Sequence, residues 1–486
     1  MRTEMSCASS RFAEAVVIGH GLAGAVAART LHDVGLDVLV VDAGTPISAT
    51  PATHVRNLDM CRTDTALRAD LVRTLLRPVS FPPARSVEAA SPPVMPDGNG
   101  INTVQRRDRN MTAARTTSAF GGMGILWNCF APRPDPCLEQ WHGIDMREWE
   151  LLYTCAEELL AVGADLATGS RRHEFVLNTL RDNRFPAARH APIAASAVDG
   201  RIHWTGPADI IDHAPITVRH ATVRRLDLRG GRVRGAQLLD SRTGVVSTLE
   251  ADIFVVAAGA IRTPALLWAS GMRDPDSALG RYLTDHPLAF AQVVLDPDMR
   301  EDGFGACVEV PVDHDHPFHR LVVSDGHDSP MLEGRIDDRL ILSLYWYTSS
   351  EPRFDNRIVF DSAATDSTGL PQPTFDYTLT HDDRARHRAA LDDLRATAAL
   401  LGTTVPTSPP QLTSPGASMH LMGTTRMSIT ETDGVTDSFG RVWGADNLYV
   451  AGTGLIPVAT AANPTLTACA LAVRTAQAIA HGTHAQ

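Results

Sequence analysis

A glycine-rich turn between an apolar strand and a helical segment is the feature that most constrains the fold of this chain. In the run AVVIGHGLAG, Gly19, Gly21 and Gly24 follow the pattern GxGxxG, and a second apolar run, DVLVVDAG, carries Asp42 near its end. Glycines let a backbone approach a pyrophosphate at a helix N-terminus, and an acid at this spacing can accept hydrogen bonds from a ribose. The order strand, helix, strand and acid therefore predicts a Rossmann-type α/β fold that binds a dinucleotide. It does not choose between FAD and NAD.

Length and composition bound the class of protein. The chain has 486 residues, 44% of them hydrophobic, which favours a large core and two interleaved domains. A formal net charge of −12 disfavours binding to nucleic acid or to an anionic membrane, and a neutral or cationic substrate fits better. The seven cysteines are scattered without a CxxC pair, which argues against a zinc site and for a reducing compartment. The N-terminal residues show no signal peptide or membrane span, so we expect a cytoplasmic protein.

Coarse patterns along the chain complete this outline. Residues 46–104 are rich in Pro, Arg, Ser and Asp without clear periodicity, and we expect an irregular excursion over the surface. Residues 216–260 alternate apolar and polar positions between turns, which predicts an antiparallel meander returning to the buried strand IFVVAAG. Residues 286–414 hold the strand-like runs FAQVVL, RLILSLYWY and NRIVF, which indicate a second, sheet-based domain. The run LYVAGTG and a C-terminal helical segment resemble the last strand and helix of the first domain.

Three sequence blocks make the chain resemble a known family. The run GAIRTPALLWASG, which begins at Gly259, resembles the second sequence motif of the glucose-methanol-choline (GMC) oxidoreductases, whose cofactor is FAD. The block AFGGMGILWNCFAP (119–132) resembles the glycine-rich loop beside the flavin ring in the pyranose-oxidase branch of that family. The block GLPQPTFDY (369–377) resembles the substrate-domain block of the same branch. The resemblance covers most of the chain except 46–104, and it implies FAD as the cofactor.

Two further motifs imply the catalytic residues. His420 begins HLMGTTRM, which matches the family pattern HxxGTxxM, and Asn463 begins NPTLT. In the family, this His and this Asn form the catalytic pair at the flavin N5 edge. The residue types suit alcohol oxidation, because a neutral imidazole can remove the hydroxyl proton while hydride leaves the carbon for the flavin N5. An amide can hold the same oxygen without competing for its proton.

The resemblance also implies the cofactor contacts and the division of the chain. The ADP half is expected at the glycine turn and Asp42, the adenine at the backbone of Val223, and the isoalloxazine near the glycine-rich loop. The full set of predicted contacts is Gly19, Gly21, Gly24, Asp42, Gly121, Gly122, Asn128, Cys129, Val223, Gly259, Gly452 and Thr465. The FAD-binding domain is expected to comprise 11–45, 105–135, 200–285 and 415–486, and the substrate-binding domain 136–199 and 286–414.

Two departures from the pyranose-oxidase pattern lie in the glycine-rich loop. Many pyranose oxidases tether FAD covalently through a His before the Trp of this loop, whereas this chain has Leu126. Leucine offers no nucleophilic atom, so we expect FAD to be held without a covalent bond. Asn128 stands where those enzymes have a Thr beside the flavin N5, a change that bears on oxygen reactivity and on the positioning of the substrate.

We therefore predict a two-domain α/β GMC fold that oxidises a hydroxyl of a sugar or glycoside to a carbonyl, with oxygen or a quinone as the electron acceptor. Trp346 and Tyr347 are expected to face the sugar. His286, in an Asp-His-Pro run, is interpreted as structural. Three alternatives stay open: an FAD-dependent dehydrogenase of an aminoglycoside or another sugar-bearing secondary metabolite, an FAD-containing lyase, and a flavin-binding protein without catalysis.

Overall fold

The computed structural model describes residues 10–80, 102–212, 214–299, 304–324, 339–366 and 368–484. The helices are α1 (Leu22–Asp33), α2 (Asp59–Thr63), α3 (Thr65–Leu75), α4 (Met146–Leu160), α5 (Arg171–Asn183), α6 (Pro207–Ile211), α7 (Gly259–Ala269), α8 (His381–Leu401) and α9 (Thr465–His484). The strands are β1 (Ser10–Ile18), β2 (Val38–Asp42), β3 (Arg77–Pro78), β4 (Arg115–Thr116), β5 (Val162–Gly163), β6 (Arg189–His190), β7 (Ile193–Val198), β8 (Arg201–Trp204), β9 (Thr217–His220), β10 (Thr222–Arg229), β11 (Arg232–Leu239), β12 (Val246–Val256), β13 (Leu288–Val294), β14 (Cys307–Val310), β15 (Phe318–Val323), β16 (Ile341–Thr348), β17 (Arg357–Thr365), β18 (Pro371–Asp376), β19 (Thr403–Thr404), β20 (Gln411–Leu412) and β21 (Leu448–Val450). Within the described ranges, no helix combines the length and the apolar character needed to cross a membrane.

The first large sheet carries the predicted Rossmann-type core. Its strand order is β10-β11-β12-β1-β2-β9, and β21 pairs with β12. Strands β12, β1, β2 and β9 run parallel, whereas β10, β11 and β12 form the predicted antiparallel meander. Val16, Val17 and Val40 are fully buried, as expected for parallel strands covered by helices. The predicted last strand and helix are confirmed as β21, parallel to β12, and α9, which packs against α1.

The second large sheet has the strand order β19-β13-β16-β15-β14-β6, with β20 also paired to β13. The predicted runs FAQVVL and RLILSLYWY lie in β13 and β16, which are antiparallel neighbours, and α8 packs against both strands. The run NRIVF lies instead in β17, which pairs with β18 outside this sheet. A sheet-based second unit is thus present, while the predicted domain boundaries stay a prediction.

The segment predicted as an irregular excursion, 46–104, is more regular than its composition indicated. Helices α2 and α3 occupy part of it, and the Asp64 side chain caps α3 by accepting a hydrogen bond from the Leu67 N–H at 2.9 Å. Only Ala69 and Val72 are buried along α3, so the apolar stripe is too narrow to stand out in the sequence. The prediction was therefore wrong for this part, and residues 81–101 lie outside the described ones.

A buried ion pair joins α8 to the second sheet. Arg320 on β15 is fully buried, and its Nε atom lies 3.0 Å from Oδ2 of Asp393 on α8. The same oxygen accepts a hydrogen bond from Trp346 Nε1 at 2.7 Å, and Oδ1 accepts one from Arg184 Nη2 at 2.7 Å. Removing one partner of such a pair leaves a buried charge uncompensated.

We expect Asp393→Ala to lower the free energy of unfolding by about 3–5 kcal/mol, because Arg320 would stay buried without its carboxylate. The matched control is Asp392→Ala at the preceding position, whose 74% exposed carboxylate pairs with Arg395 at the surface. That surface pair contributes at most about 1 kcal/mol. Urea unfolding curves measure both changes, and equal losses in the two variants would show that the buried pair does not hold α8.

Candidate active site

A large cavity lies where the turn between β1 and α1 meets the carboxyl ends of the parallel strands. Among the predicted cofactor contacts, those that line it are Gly19, Gly21, Asp42, Gly122, Val223, Gly259, Gly452 and Thr465. His420 lines the same cavity at the end near Thr465. The topology therefore brings together segments that are far apart in the chain, as the Rossmann-type order predicts. We call this space the cofactor cavity.

Steric limits explain the three glycines of the turn. Gly19 has a φ of +108°, and a Cβ at this position would lie 2.5 Å from the Ala257 carbonyl oxygen. A Cβ on Gly24 would overlap the Gly19 carbonyl oxygen, so Gly24 allows α1 to pack closely but does not itself line the cavity. A Cβ on Gly21 would approach only the Gly121 oxygen, at 3.9 Å, so this position is open to the cavity. The motif thus divides into two packing glycines and one glycine that admits a ligand.

Asp42 stands at the end of β2 with its carboxylate beside the turn. Its Oδ2 accepts a hydrogen bond from the His20 N–H at 2.7 Å, and its Oδ1 accepts one from the Gly44 N–H at 2.7 Å. Each oxygen keeps a further lone pair, because a carboxylate has about four acceptor sites. Two backbone donors therefore orient the acid while leaving capacity for ribose hydroxyls.

The glycine-rich loop separates the predicted contacts into three groups. Gly122 lines the cofactor cavity, whereas Gly121 does not and instead takes a left-handed φ of +94° to cap a short 3₁₀ helix. Asn128 lines a neighbouring cavity. Cys129 is fully buried, and its side chain lines neither cavity; its Sγ lies 3.8 Å from the Thr205 carbonyl oxygen. A flavin contact through the Cys129 side chain is therefore not supported by its position.

The neighbouring cavity adjoins the cofactor cavity at His420. The two cavities share the lining residues Met123, Trp127, Met419, His420 and Thr465. Beyond this shared end, the wall of the second cavity includes residues 54–56, α3, the glycine-rich loop, strands β7, β8 and β13 to β16, and residues 417–418. It is rich in aromatic and aliphatic side chains. We call it the substrate cavity, because ligand sites of this kind are mostly apolar with a few placed polar groups.

The predicted catalytic pair lies at the junction of the two cavities. The Asn463 Nδ2 atom lies 3.4 Å from the His420 Nε2 atom. Asn463 is buried. Desolvation of the His420 imidazole lowers the pKa of this ring to about 3. The ring is therefore neutral at physiological pH, as a general base must be. A hydrogen bond of this length leaves room for a substrate oxygen to approach both atoms.

Asp285 fixes the loop that carries His420, and the sequence analysis missed it. Its carboxylate is buried and accepts hydrogen bonds from the Gly416 N–H at 2.9 Å, from the His420 N–H at 3.1 Å and from the Ser418 hydroxyl. Burial raises the pKa of this carboxyl, against the effect of these donors. Its place in the Asp-His-Pro run before β13 was the only signal in the sequence.

His286, which the sequence analysis interpreted as structural, lies directly beside the predicted base. Its Nδ1 atom lies 3.0 Å from His420 Nδ1, and its Nε2 atom lies 3.2 Å from the Thr460 hydroxyl oxygen. A lone histidine in an Asp-His-Pro run shows no periodicity that would place it beside another histidine 134 positions away. Strand β20, which precedes the His420 loop, pairs with β13, which follows His286, and this pairing within the second sheet brings the two rings together.

Trp346 was expected to face the substrate and does not. Successive side chains of a strand point to opposite faces, so Trp346 and Tyr347 cannot both line one cavity. Trp346 is fully buried against Asp393 and α8, whereas Tyr347 lines the substrate cavity together with Tyr345. The Tyr345 and Tyr347 rings stack with centroids 6.1 Å apart. Tyr345 is thus one of the aromatic lining residues that sequence reasoning missed, together with Trp204 and Phe304.

The block PQPTFDY packs on the first domain rather than on the substrate. Its strand, β18, pairs with β17, and Phe375 and Tyr377 are buried with Ala260 of α7. No described residue of 371–377 lines the substrate cavity, although Thr368 and Leu370 line the cofactor cavity. The block therefore supports the walls of the cofactor cavity.

The residues present fit FAD better than a smaller ligand. One continuous cavity runs from the glycine turn and Asp42 to Thr465 and His420. This shape matches a dinucleotide, which has an ADP group at one end and a reactive ring at the other. Gly21 leaves the helix N-terminus open to a pyrophosphate. Among the described residues, no group of three or more His, Cys, Asp or Glu side chains could hold a metal ion.

Comparisons with known proteins agree with this geometry. Residues 214–288 and 352–472 match the N-terminal and C-terminal family models described as GMC oxidoreductase. The C-glycoside 3-oxidase of Microbacterium trichothecenolyticum is 31% identical over 96% of this chain and 96% of that protein. The pyranose 2-oxidase of Lyophyllum shimeji is 28% identical over 95% of this chain and 91% of that protein. A formate oxidase structure from Aspergillus oryzae has a TM-score of 0.72 at 14% identity, covering 98% of this chain and 99% of that chain.

The match extends over nearly the whole chain and nearly the whole of these relatives. It confirms the predicted fold class, an FAD-binding Rossmann-type domain with an interleaved sheet-based domain, which the formate oxidase structure shares. The chain therefore belongs to the GMC oxidoreductase family and is an FAD-dependent oxidoreductase that acts on CH–OH groups.

Proposed function

We propose that the enzyme oxidises a ring hydroxyl of a glycoside to a carbonyl, with the sugar beside His420 and an apolar aglycone in the remainder of the substrate cavity. The observation that carries this proposal is the composition of the lining of that cavity. Most of its side chains are aromatic or aliphatic, and His420, Asn128 and Ser418 are among the few polar ones. The names of the C-glycoside 3-oxidase and pyranose 2-oxidase relatives support a sugar ring as the reacting part.

The aromatic side chains that line the cavity favour a sugar that carries an aglycone over a free sugar. Trp204, Phe304 and Tyr345 line the cavity together with aliphatic side chains of β15. The centroids of the Trp204 and Phe304 rings lie 5.8 Å apart, so the two rings are close neighbours. A monosaccharide buries little apolar area, whereas a flat aglycone can stack on such rings and gains about 25 cal/mol for each Å² buried. Binding energy from this remote part can position the reacting hydroxyl.

The charge of the cavity bears on the aminoglycoside alternative. Among the described residues that line the cavity, none is Asp or Glu, and Arg56 is the one with a permanent charge. The Arg56 guanidinium lies 4.3 Å from the centre of the Trp204 ring. A polycationic aminoglycoside would need carboxylates to offset its charge in such a cavity. The described lining therefore favours a neutral or anionic glycoside over an aminoglycoside.

The chemical roles of the polar residues follow from their atoms. His420 Nε2 removes the proton of the reacting hydroxyl, and the Asn463 Nδ2 group donates a hydrogen bond to the same oxygen. Fixing the oxygen between these two atoms aligns the C–H bond and removes the need to order the substrate during reaction. The surrounding apolar side chains limit the number of water molecules that can compete for the developing alkoxide.

The cofactor would be held by residues of the first sheet and the glycine-rich loop. Gly21 and the N-terminus of α1 would contact the pyrophosphate, Asp42 the ribose, and Thr465 the ring end. Bound FAD supplies the acceptor for the hydride that leaves the substrate carbon. We propose oxygen or a quinone as the final electron acceptor, and the relatives named oxidases favour oxygen. A cytoplasmic location stays a prediction from the sequence.

Anaerobic bleaching of the flavin absorbance tests the proposed substrate class. We expect aryl glycosides to reduce the flavin with a KM at least about tenfold lower than the matched free sugars, because the aglycone adds buried apolar area. Tyr345→Ala should raise KM for the aryl glycosides and leave KM for the free sugars nearly unchanged. Bleaching by aminoglycosides or simple aliphatic alcohols but by no neutral or anionic glycoside would contradict the proposal. Absence of bleaching by any alcohol would favour the lyase alternative.

Loss of the base should stop the chemistry but not the binding of FAD. We expect His420→Ala to lower the rate constant of flavin reduction at least about a hundredfold, and Asn463→Ala to lower it less. Because burial lowers the pKa of His420 to about 3, the base stays unprotonated until the pH falls towards that value. The wild-type rate should thus show no acid limb near the ordinary histidine pKa of about 6.5. Near-normal reduction in His420→Ala would remove this residue from its role.

FAD should be held without a covalent bond. Leu126 caps the short 3₁₀ helix of the glycine-rich loop and lines the substrate cavity, and it has no nucleophilic atom. Cys129, the thiol of the same loop, lines neither cavity. Acid precipitation should therefore leave the yellow colour in the supernatant. Flavin that stays with the precipitated polypeptide, in wild type and in a Cys129→Ser control alike, would show that another residue forms a tether.

A further inference from the structure

A chain of four contacts leads away from the catalytic pair into the protein. Asn463 Nδ2 lies 3.4 Å from His420 Nε2, and His420 Nδ1 lies 3.0 Å from His286 Nδ1. His286 Nε2 lies 3.2 Å from the Thr460 hydroxyl oxygen, and that hydroxyl lies 3.7 Å from the Met422 sulfur. His286, Thr460 and Met422 are all buried, so water does not compete for these contacts.

The two ends of this chain differ in what they can offer. The Asn463 Nδ2 group can only donate a hydrogen bond, and the Met422 thioether sulfur can only accept one. Each neutral imidazole has one donor and one acceptor, and the Thr460 hydroxyl has one hydrogen. Every contact can therefore be a hydrogen bond if each residue donates to the next one in the chain. The donation then runs from Asn463 through His420, His286 and Thr460 to Met422. If donation ran in the reverse direction, the Met422 sulfur would have no donor. The Asn463 amide would also have to be rotated so that its oxygen faced His420.

We propose that His286 and Thr460 are positioning residues that hold His420 in the tautomer with its proton on Nδ1, so that Nε2 presents a lone pair to the substrate hydroxyl. This proposal rests on the proposed role of His420 as the base. A neutral histidine in the other tautomer would present an N–H at Nε2 and could not accept the proton. Tautomer errors of this kind can lower a rate by up to about 10⁴.

The surroundings of His420 and His286 keep both rings neutral. Burial lowers the pKa of His420 and, together with the positive charge that His420 and His319 can carry, lowers that of His286. The other titratable groups packed around His420 are the Tyr347 ring, with its centroid 5.4 Å away, and Asp285, which accepts from the His420 backbone N–H. After proton abstraction the Nδ1 hydrogen still points to His286, so His286 stabilises the imidazolium without taking a proton.

The first test uses Thr460, because valine has nearly the same shape without the hydroxyl. We expect Thr460→Val to lower the rate constant of flavin reduction about tenfold, the scale of one hydrogen bond, with KM nearly unchanged. Thr460→Ser, which keeps the hydroxyl, should restore most of the rate. Thr397→Val, which removes a buried threonine hydroxyl bonded to the Asp393 carbonyl oxygen on α8, is the control for a general loss of packing. Equal rates in the valine and serine variants would overturn the role of Thr460.

The second test removes or replaces the acceptor atom of His286, its Nδ1. His286→Leu removes this acceptor, and we expect the rate constant of flavin reduction to fall about a hundredfold. His286→Asn keeps an acceptor near the former Nδ1 and should recover part of that loss without a change in KM. Equal loss in the leucine and asparagine variants, with both proteins folded and loaded with FAD, would show that acceptance from His420 does not matter.

A spectroscopic measurement separates this proposal from the proposed function. The holoenzyme labelled with ¹⁵N-histidine should show His420, identified by its absence in His420→Ala, with the proton on Nδ1 and Nε2 unprotonated. Thr460→Val should reduce the population of that tautomer, and Thr460→Ser should not. A proton on Nε2 in the wild type would overturn the inference. This result does not depend on the substrate, so rejection of the glycoside proposal alone would leave it intact.

Discussion

The buried carboxylate of Asp285 is the interaction on which the arrangement of the site most depends. The segment from Gly416 to His420 contains no helix or strand, so regular backbone bonding does not fix it. Two of its backbone N–H groups and the Ser418 hydroxyl bond instead to Asp285, just before β13. The Asp285 N–H in turn donates to Ser350 Oγ at 3.2 Å, beyond the end of β16. One acid thereby connects the second sheet to the loop that carries the base, and it sets His286 against the same imidazole.

This connection explains why neither sheet could form the site alone. The first sheet and its glycine turn supply the cofactor cavity, and the second sheet supplies Leu321, Tyr345 and Tyr347 on the wall of the substrate cavity. His420 stands where the two cavities meet and is half-buried among both sets of residues. The lowered pKa of His420 is therefore a property of the assembled fold rather than of its motif, because desolvation is its cause.

The sequence predicted those parts of the fold that local patterns determine. The glycine turn, the meander and the C-terminal strand and helix were confirmed, because each depends on spacing over a few residues. The catalytic pair was predicted through its motifs, and its atoms lie within contact distance, although its role stays a prediction. The failures involve contacts between distant segments. Trp346 faces α8 because the register of β16 assigns alternate residues to opposite faces. His286 and His420 are 134 positions apart in the sequence, so no local sequence pattern could predict their contact.

The partner of His420 also explains how the base can stay neutral and still function. A carboxylate beside Nδ1 would stabilise the imidazolium before the substrate binds and would raise the pKa of the base. Asp285, the carboxylate adjacent to His286 in the chain, is bonded to the loop backbone and to Ser418 instead. The atom next to His420 Nδ1 is a neutral imidazole nitrogen, which orients the ring and adds no negative charge. Burial then keeps the base unprotonated, and its proton affinity rises only when a negative charge develops beside Nε2 during the reaction. This arrangement favours proton transfer in the transition state rather than in the resting enzyme.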